Sequence, residues 1–146
     1  MRRNNLENPI FLYTLLILII TINTVSSIHF LLIMLSGVLF NAFYVCLKRR
    51  YLYSLTFIIL TFLFVEINSG LKPFSLVLFS FFLYVFVIPK LEKIISLHQL
   101  NYFIYIILFY IGVMIIWSFS FSLENNIVGI LLINTLIDLV FFGLFI

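Results

Sequence analysis

The chain has 146 residues, of which 65% are hydrophobic and only 9% are charged, and its mean hydropathy is +1.32. Ordinary soluble domains contain roughly a quarter charged residues, and a soluble domain of this size could not bury so much apolar surface. These values exclude a soluble globular enzyme, a nucleic-acid-binding domain and a disordered tail. The single cysteine, Cys46, also excludes a disulfide framework and a cysteine-based metal site within one chain.

The sequence contains six apolar runs, each close to the length of about 20 residues that a membrane-spanning helix needs. Their approximate bounds are 9–28, 30–47, 51–67, 73–89, 100–119 and 127–146. We therefore predict an all-α membrane protein, with a single transmembrane domain over 1–146, six helices and minimal loops. Pro9, Pro73 and Pro89 all fall at the ends of these runs, as expected because proline is disfavoured in a helix interior.

The basic residues predict the orientation of this bundle. If the N-terminus lies in the cytoplasm, then Lys72 is the only lysine or arginine on the outer side, which follows the positive-inside rule. An even number of spans returns the C-terminus to the cytoplasm. A cleaved signal peptide over the first run is the alternative, and it would leave the other five orientations unchanged. The cytoplasmic basic cluster of Lys48, Arg49 and Arg50 is expected to meet anionic lipid of the bilayer or a cytoplasmic partner, and lipid alone is enough to explain it. Aromatic side chains expected to anchor at the interfaces are Tyr44, Tyr51, Tyr53, Tyr102 and Trp117.

Asp138 lies inside the sixth run, about 16 Å below its outer boundary by helical rise. Asn134 precedes it by one helical turn and shares its face. An ionisable side chain at the centre of a spanning helix costs about 2.5 to 3.5 kcal/mol, so this face should point into the bundle. Asp138 is either a proton, substrate or partner site, or it makes a packing hydrogen bond with Asn134 and also Asn41. The packing interpretation is favoured.

Glu66 ends the third run and is followed by a turn composition that includes Asn68, Gly70 and Pro73. Gly70 is expected to adopt a positive φ, and Pro73 is expected to begin the next helix. Glu66 is either a solvated acid, which could pair with Lys72 across the turn, or part of a contact site for a periplasmic partner.

The sequence shows no catalytic, cofactor-binding or metal-binding motif. It lacks a nucleophile–base arrangement, an HExxH motif, a phosphate-binding glycine loop and a CxxC pair. His29 and His98 are predicted to lie on opposite sides of the membrane, so they could not share a metal ion. Gly37 and Asn41 are predicted to form a small-residue face for helix packing. We therefore predict that the protein is not an enzyme and has no cofactor.

The stretch from Val65 to Leu76 resembles the rod-shape-determining protein MreD family of small bacterial inner-membrane proteins with about six spans. The most recognisable stretch of that family is an acidic residue ending span three, a glycine four residues later and an apolar span four. Glu66 falls on that acid and Gly70 on that glycine. The family often has a second glycine at the position of Phe74, and its acid is commonly aspartate. Further positions with family counterparts are Lys48 to Arg50 and Asn134.

The resemblance implies a non-catalytic scaffold of the cell-elongation peptidoglycan machinery, which determines rod shape. The implied partners are the periplasmic-facing protein MreC and, through it, a peptidoglycan glycosyltransferase and transpeptidase; homo-oligomers are also compatible. The implied partner-binding residues are Glu66, Asn68, Gly70 and Pro73. One alternative is the substrate-binding subunit of an energy-coupling-factor vitamin transporter, which is thought to share the six-helix fold and needs an outward-opening polar pocket. Another alternative is a small membrane protein of the holin-like or accessory type.

Overall fold

The computed structural model describes residues 5–28, 35–94, 98–120 and 125–145. The regular elements in these ranges are all helical. After a short 3-10 turn, Asn5–Glu7, they are α1 (Pro9–Ile28), α2 (Ser36–Arg49), α3 (Leu52–Asn68), α4 (Ser75–Phe82), α5 (Ile88–Ile94), α6 (His98–Ser120) and α7 (Asn125–Phe145). A π-helical turn, Leu83–Val87, joins α4 to α5.

Within the described ranges, four helical stretches are long and apolar enough to cross a membrane, which indicates a helical membrane protein as the composition predicted. They are Pro9–Ile28, Ser75–Lys93, Asn101–Phe119 and Asn126–Phe145. Helix α3 is apolar but shorter, with 17 residues. Helix α2 has 14 residues and begins at Ser36, directly after the left-handed residue Leu35, so it covers the later part of the predicted run 30–47. Positions 30–34 of that run lie outside the described residues.

Helix α2 forms the centre of the bundle. Every side chain from Ser36 to Cys46 is buried, and α2 packs against α1, α3, α6 and α7. The ring of Phe40 stacks on Phe109 of α6, with centroids 5.2 Å apart, and Phe43 meets Phe62 of α3 edge-on at 6.1 Å. The part of α2 from Ser36 to Cys46 has no access to lipid or water, so its polar groups need partners within the bundle.

Three polar contacts join helix ends to one another at one end of the bundle. We term it the basic end because it holds Lys48 and Arg49. Arg49 pairs with Glu7 at 2.6 Å, and Lys48 pairs with Glu92 at 3.0 Å. The side-chain amide of Asn5 donates to the carbonyl of Phe145 at 2.8 Å. The start of α1 and the ends of α2, α5 and α7 therefore lie together, as in an antiparallel bundle with short connections.

Two of the three prolines do not sit where the sequence predicted. Pro9 begins α1 as expected, but Pro73 lies in a turn and α4 begins only at Ser75. Pro89 lies inside α5 instead of ending a helix. The π-helical turn Leu83–Val87 directly precedes it, and such a wider turn accommodates a proline that lacks an N–H and crowds the carbonyl four residues earlier.

The aromatic residues predicted to anchor at the membrane interfaces divide into exposed and buried groups. Tyr51 and Tyr53 are exposed, as expected for interfacial anchors. The prediction was wrong for Tyr44 and Trp117, which are only 3% and 4% exposed. Tyr44 is drawn inward because its hydroxyl donates to Glu92 at 2.5 Å, which gives its polar tip a partner without water.

Candidate functional site: two buried carboxylates at helix N-termini

The carboxylate of Asp138 lies at the N-terminus of the central helix α2. It is completely buried, and its Oδ2 accepts hydrogen bonds from the backbone amides of Gly37 at 2.8 Å and Val38 at 3.2 Å. The hydroxyl of Tyr110 on α6 donates to the same oxygen at 3.0 Å. The first amides of a helix lack partners within that helix, and its N-terminus carries partial positive charge. Asp138, on the neighbouring helix α7, therefore accepts hydrogen bonds from the free amides at the start of α2 and offsets the partial positive charge there.

This contact lies deep in the bundle. Asp138 is thirteen residues after the start of α7, which corresponds to about 20 Å of helix. Tyr110 is likewise ten residues before the end of α6. Helix α2 therefore starts inside the bundle, far from the start of α7 and the end of α6, where its buried first amides cannot bond to water. This position explains why an acid stands in the middle of an apolar helix.

Gly37 is required by the close approach of three helices at this point. A Cβ at this position would lie 2.8 Å from Asp138 Oδ2, 2.9 Å from Ile106 and 3.0 Å from the Tyr110 ring. The predicted role of Gly37 in close helix packing is therefore confirmed.

Substitution of Gly37 by alanine is expected to destabilise the bundle by about 1 to 3 kcal/mol, because the added methyl overlaps a well-packed site. Gly129 on α7 has no described neighbour within 4 Å of its Cβ position, so Gly129→Ala is the matched control. That control should be neutral or stabilise the helix by up to about 1 kcal/mol. Denaturant titration in detergent, followed by far-UV circular dichroism, measures both. Equal effects of the two changes would contradict the packing argument.

The carboxylate of Glu66 holds a second helix N-terminus at the opposite end of the bundle. It is also completely buried, and the backbone amide of Phe74 donates to Oε2 at 2.6 Å. Oε1 accepts from Leu76 at 2.6 Å and Val77 at 3.2 Å. Glu66 is therefore not a solvated loop acid, and it forms no ion pair with Lys72, whose side chain is also described. Its charge faces the start of α4, where helix dipole and free amides both favour an anion.

The turn between Glu66 and α4 is fixed by two left-handed residues. Gly70 has a φ of 73°, as predicted, and it ends α3 with hydrogen bonds from Leu71 to the Glu66 carbonyl and from Gly70 to the Ile67 carbonyl. Phe74 has a φ of 67°, which is unusual for a residue other than glycine. Its ring is nevertheless 50% exposed, so it forms part of the surface at this end.

The two carboxylate sites share one local design. In each, a left-handed residue precedes the helix, and a carboxylate from another helix accepts from the second and third helical amides. Four residue types recur at the same positions of the two helices: Ser36, Val38, Leu39 and Phe40 match Ser75, Val77, Leu78 and Phe79. Equivalent sequences therefore start α2 and α4 in the same way, although their carboxylates come from different helices.

The other predicted polar residues make separate contacts. Asn134 is buried like Asp138, so the prediction that this face points inward is confirmed. Asn41 instead donates to the Tyr102 carbonyl on α6 at 3.1 Å. Asn68 donates to the Asn23 carbonyl at 2.8 Å and thereby ties α3 to α1. The favoured packing role of Asp138 is right in kind, but the partners are backbone amides and a tyrosine.

Sequence reasoning missed three residues that shape these contacts. Tyr110 completes the Asp138 site, and a tyrosine in the middle of an apolar run was the signal that could have identified it. Glu92 receives hydrogen bonds from Tyr44 and Lys48 at the basic end. Gly112 lets the ring of Phe79 approach α6 so closely that a Cβ would fall 1.7 Å from a ring carbon. Each of these contacts joins residues that are distant in sequence.

The arrangement can order helices, because each buried carboxylate accepts hydrogen bonds from the first amides of another helix. Within residues 5–28, 35–94, 98–120 and 125–145, no three histidine, cysteine or acidic residues come together as a metal site. The two buried carboxylates are occupied by backbone amides. No protein-family model, curated protein or solved structure matches the chain.

Proposed function

We propose that the protein is a non-catalytic scaffold in the bacterial inner membrane, and that it acts in the cell-elongation peptidoglycan machinery. The observation that carries the proposal is the geometry of the Glu66–Phe74 turn. Gly70 and Phe74 both have positive φ, and these are the two positions at which the MreD family has, or often has, glycine. The local fold therefore supplies a physical reason for the motif on which the resemblance rests.

The surface that this turn presents is the proposed contact site for an MreC-like partner. Glu66 is buried and acts by holding the turn, whereas Gly70, Lys72, Pro73 and Phe74 are exposed. A partner helix or loop would meet the ring of Phe74 and the adjacent cation. Through that partner, the scaffold would connect to the glycosyltransferase and transpeptidase.

The proposed topology has six spans with both termini in the cytoplasm. The basic end is then cytoplasmic, because it carries Lys48, Arg49, Arg50, Lys90 and Lys93. Asn5 and Phe145 lie together at that end, which agrees with an even number of crossings. The Glu66–Phe74 turn would then face the periplasm.

A vitamin-binding subunit is the second candidate, but the described polar groups favour it less. Such a subunit needs polar side chains that are free to grip a ligand from the outer side. Glu66 is occupied by three backbone amides, and Asn68 donates to a carbonyl of α1. Both groups support the helices of this chain and are not available to a ligand.

The direct test is crosslinking followed by affinity purification from native membranes, with a tagged chain that still supports growth. Recovery of MreC and the wall-synthesis pair is the expected result. Recovery of a pair of ATPases with a coupling membrane subunit would replace the scaffold proposal by the transport alternative. Recovery of neither set would contradict both.

Because the natural partner of this chain would be complementary to its own aromatic ring, substitution of Phe74 by glycine is expected to reduce partner recovery while leaving the fold intact. Glycine adopts positive φ at no steric cost, so the variant should be as stable as the natural chain or more stable by about 1 kcal/mol. The control is Phe81 on α4, which is also exposed. Phe81→Gly removes an aromatic ring at another place, and Phe81→Ala does so without putting glycine in a helix. Full recovery with Phe74→Gly would show that this ring is not part of the interface.

A further inference from the structure

A groove opens at the basic end between the start of α1 and the start of α3. It has a volume of about 560 Å³, and its walls include Leu12, Tyr13, Arg50, Tyr51, Tyr53 and Ser54. The mouth of the groove therefore combines one guanidinium group with several hydroxyl groups. Its inner wall is apolar.

Arg50 is the cation available at this mouth. Among the residues that the structure describes, the neighbouring cations Lys48 and Arg49 pair with Glu92 and Glu7, whereas Arg50 forms no ion pair. Glu7 also lines the groove, but its charge is compensated by Arg49 at 2.6 Å. The mouth is therefore left with an uncompensated positive charge.

The backbone holds Arg50 in an unusual conformation. Its φ is 60°, and it ends α2 through hydrogen bonds from Arg50 to the Leu47 carbonyl and from Tyr51 to the Cys46 carbonyl. This is the position at which helices prefer glycine, and a residue with a Cβ costs about 1 kcal/mol there. An arginine at a position that favours glycine suggests that its side chain has a use, and the rigid turn holds it beside the groove.

A second groove lies further along the exposed side of α1 and α3, beyond Tyr13, whose ring packs edge-on against Phe57 of α3 at 5.5 Å. Both are lined by Tyr13, and the second has a volume of about 420 Å³ with almost wholly apolar walls that include Ile17, Ile20, Phe57 and Phe64. From the start of α3 to Phe64 the helix rises about 18 Å. This length is close to the thickness of one leaflet, which is about 15 Å.

We propose that this combined α1–α3 groove binds an anionic phospholipid. The phosphate would lie at Arg50 with the tyrosine and serine hydroxyls around it. One acyl chain would follow the apolar part of the groove, here called the furrow, between α1 and α3. An anionic headgroup complements the unpaired guanidinium, and an extended chain matches the length and apolar walls of the furrow. A partner helix would match the furrow but would leave the cation at its mouth unused.

The test is native mass spectrometry of the full chain in detergent with equal amounts of phosphatidylglycerol and phosphatidylcholine. The natural chain is expected to retain about five times as much phosphatidylglycerol as phosphatidylcholine. This ratio corresponds to the attraction between one basic side chain and an anionic lipid, which is about 1 kcal/mol. Arg50→Gly should bring this ratio close to one while the turn itself stays folded, since glycine suits its positive φ. Lys90→Gln removes an exposed charge at the same end and should keep the natural ratio.

The acyl-chain part of the proposal has its own pair of variants. Ile17→Trp fills the furrow and should reduce total lipid retention, whereas Leu132→Trp, on the exposed face of α7, should not. The proposal is overturned if Arg50→Gly keeps the phosphatidylglycerol preference, or if both tryptophan variants retain lipid equally. A dimer that excludes lipid from the natural chain would overturn it as well.

Discussion

Replacement of Asp138 by alanine is expected to destabilise the bundle by about 3 kcal/mol or more. The change leaves the amides of Gly37 and Val38 and the hydroxyl of Tyr110 without their shared acceptor in a site closed to water. Each buried donor left unpaired costs about 1 to 3 kcal/mol. The loss of a negative charge at the start of α2 adds to this effect.

Asp138→Asn is expected to be much milder, at about 1 kcal/mol. All three hydrogen bonds reach Oδ2, and the structure shows no partner for Oδ1 among the described residues. An asparagine can place its single carbonyl oxygen at the Oδ2 position and keep the three contacts. It loses the interaction of a full charge with the helix N-terminus, which is typically below 1 kcal/mol and up to about 2 kcal/mol in partly buried sites. Its amino group replaces Oδ1, an atom that has no partner among the described residues in the natural chain either.

Cys46 provides the measurement for these variants. It is the only cysteine of the chain and is completely buried in α2, so a maleimide can label it only when the bundle opens. A loss of 3 kcal/mol should raise the labelling rate by about a hundredfold, whereas a loss of 1 kcal/mol raises it about five-fold. Thr135→Val is the control on α7, because the Thr135 hydroxyl bonds only within its own helix at 2.7 Å. Equal rates for the alanine and asparagine variants would contradict the geometry at Oδ2.

Replacement of Glu66 by glutamine is expected to be nearly as damaging as replacement by alanine, at about 3 kcal/mol. The reason is that Glu66 uses both oxygens: Phe74 donates to Oε2, and Leu76 and Val77 donate to Oε1. A glutamine must point its amino group at one of these amides, so a donor faces a donor. The same chemical change, from acid to amide, should therefore be mild at Asp138 and severe at Glu66.

Thermal unfolding in detergent and the labelling rate of Cys46 measure this contrast. Glu7→Gln is the control, since Glu7 is partly exposed in its pair with Arg49 and surface pairs contribute only about 0 to 1 kcal/mol. If Glu66→Gln is as stable as that control, the carboxylate does not hold α4 as the structure shows. Loss of partner recovery without loss of stability would instead assign Glu66 directly to the interface.

The sequence by itself determined the features that depend on composition and local chemistry. An apolar run must leave water, so the helical membrane class followed from 65% hydrophobic residues and from the length of the runs. Pro9 at a helix start and Gly70 at positive φ were predictable because their backbone preferences are intrinsic. The inward face of Asp138 and Asn134 followed from the cost of a polar group in lipid.

The tertiary structure decided which groups meet. No local rule shows that α2 starts in the interior of the bundle, or that Asp138, a hundred residues later, supplies its missing acceptor. The inward turn of Tyr44 depends on Glu92, 48 residues away, and the passage of α5 through Pro89 depends on the π-helical turn before it. The sequence shows that a buried polar group needs a hydrogen-bond partner. Which residue is that partner depends on how the helices pack.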